Sequence, residues 1–165
     1  MSYVSKGQGG ALEKMKSKLL NTPFEMGLRV LLLLNSSPIE FLTSEQILSF
    51  DFVSCYGKEF DISSSNLHGD GQYKFSELSL RNELLKEALK WLVLQNYISV
   101  DVHCGFRFGI TDLGSDFISS IDDTYSCSYS ETAELAFKKY NKESAFDLNK
   151  IILQKSKDDI HKGDE

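Results

Sequence analysis

The segment from Asn21 to Pro38, NTPFEMGLRVLLLLNSSP, constrains the fold of this chain more than any other. Asn21 or Thr22 can cap a helix, and Pro23 fits its first turn. Leu28, Val30, Leu31, Leu32, Leu33 and Leu34 follow, with Arg29 as the only charge inside the run. Pro38 stops it, because proline cannot continue a helix. The run falls well short of the roughly 20 apolar residues that a membrane span needs. It predicts a helix buried on most sides, with the rest of a small domain packed on it.

At 165 residues the chain has room for one domain with a real core and a peripheral segment. Its start, MSYVSKGQGG, has no apolar stretch after a basic beginning, so we expect no secretion signal and no anchor. Cys55, Cys104 and Cys127 form no CxxC pair and are odd in number, which fits a reducing cytoplasm. A net charge of −6 argues against coating nucleic acid by charge alone.

Along the chain, residues 1–20 read as an N-terminal arm with a short amphipathic helix over Ala11–Leu20. Thr43 and Gln46 make a capping box that starts a second helix, with Ile47, Leu48, Phe50, Phe52 and Val53, running to about Tyr56. Residues 57–74 read as a long polar loop, and loops of more than about 12 residues often carry a contact function. Ser76 and Ser79 open the longest helix, roughly Glu77 to Gln95, closed by Asn96. Tyr97–Val102 and Phe106–Ile110 alternate with period two around His103-Cys104-Gly105, which predicts a β-hairpin. Thr111-Asp112 caps a helix over Leu113–Ile121, Asp122-Asp123 and the following serines read as a break, and a last helix covers about Glu131–Lys142. Phe146–Leu153 is a weaker helical candidate.

The predicted fold class is mainly α with a small β-hairpin: a winged helix-turn-helix domain plus C-terminal helices. The boundaries are an N-terminal arm over 1–20, a winged-helix domain over 21–122, C-terminal helices over 123–153 and a mobile charged tail over 154–165.

We find no catalytic, cofactor-binding or metal-binding residues to nominate. His68, His103 and His161 are far apart, and none sits at i,i+4 from another ligand type on one predicted helix. His103-Cys104 reads as a hairpin tip with two ordinary side chains, and no activating base for Cys104 can be named. GFRFG at 105–109 lacks the lysine and the strand-to-helix setting of a phosphate loop. The chain is expected not to be an enzyme.

A helix-turn-helix module that reads DNA presents Arg, Lys, Asn or Gln on its second helix. Residues 43–56 offer only Gln46, alongside Glu45 and Asp51. On the long helix Arg81, Lys86 and Lys90 are offset by Glu77, Glu83 and Glu87, a pattern expected of paired charges on a solvated face. Arg107 on the hairpin is a possible DNA phosphate contact, although an arginine on an edge strand is also a guard against aggregation. A protein-binding winged helix is the better default.

The block Asn21-Thr22-Pro23-Phe24-Glu25-Met26-Gly27-Leu28-Arg29-Val30-Leu31-Leu32-Leu33-Leu34 resembles the N-terminal signature of the middle component of bacterial ABC-three-component systems. Residues 46–52, 75–85 and 110–114 fit the same pattern, so the resemblance covers about residues 21–140. Such proteins resemble the small subunit of Lamassu-type anti-phage and anti-plasmid defence. The resemblance implies a non-enzymatic adaptor without cofactor. Its implied partners are an ATPase of the SMC or Rad50 type and an effector, often a nuclease, with DNA met only through the complex.

An adaptor of this kind works through aromatic anchors set into partner pockets. Phe60 and Tyr73, in the long loop, and Tyr125 and Tyr129, after the domain, are the candidate partner-binding residues. Phe24 and Phe75 flank helix caps and read as core packing. The alternative function is a free winged-helix DNA-binding transcriptional regulator.

Overall fold

The computed structural model describes residues 22–71 and 74–162. The expected helix over Ala11–Leu20, and Asn21 as a cap, lie outside these residues, as does Tyr73. Six α-helices and a small antiparallel sheet make up the described chain.

Helix α1 covers Pro23–Ser36, with Thr22 Oγ1 accepting from the Glu25 N–H at 3.2 Å. Met26, Val30 and Leu31–Leu34 are all buried, as the apolar run predicts. After the Pro38 stop, the two-residue strand β1 (Leu42–Thr43) leads into α2 (Ser44–Cys55). The capping box is present in both directions: the Gln46 N–H donates to Thr43 Oγ1 at 3.2 Å, and the Thr43 N–H to Gln46 Oε1 at 2.9 Å. Every residue from Ser49 to Gly57 is buried, so α2 is as central as α1.

The segment after α2 folds back on the core. A 3₁₀ turn, Gly57–Phe60, ends at Asp61 in the left-handed region (φ 55°) and drives the Phe60 ring inward, edge-on to Phe52. Lys74 then reaches Asp159 at 3.1 Å and Glu59 at 3.5 Å, tying this segment to the last helix. The expectation of a solvent-facing polar loop is corrected here: its apolar residues are recruited into the core, because a helix as buried as α2 needs cover on this side too.

Helix α3 spans Leu78–Leu94, and its N-cap residue is Glu77, which makes no side-chain capping bond. Its end is a Schellman motif, with Asn96 at φ 60°, the Asn96 N–H donating to the Val93 carbonyl and the Tyr97 N–H to the Leu92 carbonyl, both at 3.0 Å. The hairpin pairs β2 (Ile98–Asp101) with β3 (Arg107–Ile110) in the register Ile98↔Ile110 and Asp101↔Arg107. Leu42 of β1 pairs with Phe108, so the sheet order is β1-β3-β2. The third strand was not expected from sequence.

Helix α4 (Asp112–Ser119) is capped by Thr111, as expected. Its Gly114 sits so close to the preceding turn that a Cβ there would lie 2.1 Å from the Tyr97 carbonyl oxygen. Two corrections follow in the C-terminal part. Helix α5 starts at Thr124 and runs to Tyr140, capped by Asp123 with the Ser126 N–H at 2.9 Å; the serine-rich stretch expected as a break is its first two turns. Helix α6 is continuous from Ala145 to Lys162, where a mobile tail was expected from residue 154. Leu148 and Ile152 bury one face of it, and Asp159 holds its far end to Lys74. Both helices share the core of α1–α3, as the Phe50–Phe137 ring contact at 4.2 Å illustrates. No helix among the described residues is long and apolar enough to cross a membrane.

Candidate functional site: a buried ionic clamp and an exposed apolar groove

Two of the charges set into apolar runs meet at the centre of the molecule. Arg29 Nε donates to Asp51 Oδ1 at 2.9 Å, and Arg81 Nη1 donates to Asp51 Oδ2 at 2.9 Å. The Tyr129 hydroxyl completes the carboxylate, donating to Oδ1 at 2.7 Å. One aspartate thus fastens α1, α2, α3 and α5. Arg81 also lies over the rings of Tyr56 and Phe52, 5.3 and 5.8 Å from their centroids. The expectation of Arg81 on a solvated face is therefore wrong. Lys86, by contrast, does make the exposed i,i+3 pair with Glu83.

The electrostatics explain how the charges survive burial. Burial alone would push the Asp51 carboxyl up, but Arg29, then Arg81 and the Tyr129 hydroxyl, hold it down at about 2. Burial disfavours the Arg29 guanidinium, yet Asp51 overrides it and the arginine stays charged. Beside them, burial raises the Cys55 thiol to about 11, so it remains protonated. His68 is pushed down to about 3 by burial and by the two arginines. Arg81 Nη2 can only donate, and it stands 2.9 Å from His68 Nδ1. The proton of the neutral ring is therefore on Nε2, which donates to the Tyr125 hydroxyl at 2.8 Å. Cys55, His68 and Asp51 lie near one another, but each is committed to this packing: the sulfur is fully buried, and the carboxylate belongs to two arginines. Among the described residues no three of His, Cys, Asp and Glu come together so as to hold a metal ion.

The predicted site residues fall as follows. Phe60 is 0% exposed, which corrects its placement as an exposed loop anchor. Tyr129 is equally buried and spends its hydroxyl on Asp51; Tyr125 is half-buried against His68. Neither presents a free anchor, and Tyr73 lies outside the described residues. Arg107 is bound across the hairpin by Asp101. The Asp101 carboxyl is in turn held below its usual range by the His103 N–H and by Arg107.

An exposed apolar groove lies elsewhere, on a part of the sequence read as ordinary helix and hairpin. The C-terminal half of α3 and the hairpin enclose a groove of about 570 Å³. Leu89, Val93 and Leu94 form its helix side. Phe108 on β3 and Phe106, just before the strand begins, form the other. Gly105, at φ 86°, makes the bend that brings Phe106 round. Leu94 is 78% exposed and Phe106 is 73% exposed, so neither is needed for the core. Lys86 and Lys90 stand on the rim. The signal was present in the sequence: Leu94 ends a helix at a position beyond its apolar stripe, and Phe106 sits at a bend where polar residues are usual.

No curated protein and no solved structure matches the chain. A family model does, over residues 19–162, which is most of the chain and includes every element described above. The chain belongs to the ABC-three component (ABC-3C) system Middle Component 2 family.

Proposed function

We propose that this chain is a non-catalytic adaptor of a Lamassu-type defence complex in the bacterial cytoplasm. It bridges an SMC- or Rad50-like ATPase and a nuclease-type effector, and it helps to keep the effector inactive until DNA is sensed. A middle component of a multi-component system works among partner proteins, and the observation that carries the adaptor reading is the groove between α3 and the hairpin. Leu94 and Phe106 expose apolar area that a monomer has no reason to present, and such patches mark protein contacts.

The framework for it is a winged helix. The order helix, strand, helix, helix, hairpin, with β1 added to the β3 edge, supports that reading, with α3 in the place of the recognition helix. A DNA-reading winged helix would line this face with basic and amide side chains. Here it is lined with leucine, valine and phenylalanine, and the hairpin arginine is already paired.

The test is co-expression with the proteins encoded beside it. The adaptor reading requires the chain to co-purify with a large coiled-coil ATPase and requires defence to fail when the subunit is deleted. A chain that purifies alone as a homodimer and shifts its own promoter DNA is instead the transcriptional regulator.

A further inference from the structure

The groove also carries information about its occupant. Its lining holds two lysines and no carboxylate, in a chain whose net charge is −6. Lys86 and Lys90 are both exposed and four residues apart on α3, so they stand one above the other, about 6 Å along the helix axis. Lys90 makes no ion pair among the described residues. Lys86 pairs with Glu83, on the surface, where such a pair is easily exchanged. The remaining acid of this stretch, Glu87, lies on the other flank of α3, beside Phe24 and Trp91. Between the lysines and the hairpin the floor is apolar, formed by Leu89, Val93 and Phe108, and its outer edge by Leu94 and Phe106.

We infer that this groove receives an amphipathic helix from another subunit of the three-component system, lying alongside α3. Apolar side chains at i and i+3 or i+4 enter between Leu94 and Phe106, and two carboxylates one turn apart meet Lys86 and Lys90. The carboxylate spacing is set by the lysine spacing, and the apolar floor sets which face of the incoming helix turns inward. This inference rests on the adaptor reading and specifies its contact.

The experiment uses the full chain co-expressed with the other two subunits. A photo-crosslinking amino acid replaces Leu94 in one variant and Phe106 in another, and the attached peptide is identified by mass spectrometry. The expected product joins both positions to one helical segment of another subunit that carries acidic residues one turn apart. The double variant Lys86→Glu/Lys90→Glu, with an unchanged melting temperature because both side chains are exposed, should retain that subunit at least about tenfold less well. Reversing the two partner carboxylates to lysine should restore retention. If the complex forms but the crosslinks fall on a second copy of this chain, on a segment without acidic residues, or on nothing, the groove assignment is overturned while the adaptor reading stands. The same holds if the lysine reversal leaves retention unchanged, or if the lysines instead govern binding of a labelled DNA duplex. If the unmodified chain retains no other subunit, both readings fall.

Discussion

Asp51 on α2 accepts a hydrogen bond from Arg81 on α3, Nη1 to Oδ2 at 2.9 Å, with both side chains only 1% exposed. The pair is separated by thirty positions, and between them Phe60 and Lys74 are also buried. Because Arg29 and Tyr129 use the same carboxylate, the loss of Asp51 strands two buried guanidinium groups at once. Removing one partner of a buried ion pair typically costs about 3–5 kcal/mol. Asp51→Asn should lose at least that much in urea unfolding, a large share of the roughly 5–15 kcal/mol that holds a domain together. Tyr129→Phe, which removes one hydroxyl donor to the carboxylate and leaves both guanidinium groups paired, should cost less, about 1.5–3 kcal/mol. Equal effects of the two variants would contradict the central role of Asp51.

The buried histidine makes stability fall on the acid side. His68 titrates near 3 in the folded chain and near 6.5 when unfolded. Above 6.5 the ring is neutral in both states. Below it the unfolded chain takes up a proton that the folded chain refuses, so stability declines as pH falls from 6.5 towards 3, by up to about 1.4 kcal/mol per unit. Asp51, held at about 2, acts with the same sign lower down: its contribution is present above about 4 and is lost as pH falls through 2. Melting temperatures between pH 8 and 5 should therefore drop for the wild type and drop less for His68→Gln. Identical slopes would show that His68 is not held neutral.

Phe60 supports the core. Phe60→Ala should lower stability by about 3–5 kcal/mol, the usual cost of emptying a buried phenylalanine site. Denaturant unfolding of the isolated chain checks it, with no partner present. A variant as stable as wild type would return Phe60 to the surface.

Gly114→Ala tests the close approach of α4 to the turn before the sheet. The new methyl would meet the Tyr97 carbonyl oxygen, which already accepts from the Thr111 N–H at 3.1 Å and has little freedom to move. A loss of about 1–3 kcal/mol is expected, in the range for overpacking. Gly71→Ala, where a Cβ meets nothing within 4 Å, is the control and should be near neutral.

The parts of the fold that were legible in the sequence are those set by local chemistry. Thr22, the Thr43–Gln46 box, Thr111 and Asn96 each bound a helix through contacts within a few residues, and the hairpin announces itself by alternation. What was missed depends on distant partners. Strand β1 is two residues long and exists only because β3 is beside it. The start of α5 reads as polar, since serines favour caps and turns, yet packing of Tyr129 against Asp51 carries the helix through them. Phe60 was hidden by the polarity of its neighbours. The ionic clamp left a trace that went unused: Arg29 inside a leucine run and Asp51 between Phe50 and Phe52 each require a buried partner of opposite sign, and each supplies the other's.

The decisive measurement is the mass of the assembled complex formed by the Leu94→Asp/Phe106→Asp variant, taken by light scattering after co-expression with the other subunits. Both side chains are largely exposed, so the isolated variant should unfold at the wild-type denaturant midpoint. The variant should nevertheless assemble without the subunit whose helix enters the groove, at a mass below that of the wild-type complex. A variant that assembles to the full mass would contradict the claim that the face between α3 and the hairpin is where this middle component meets its partner.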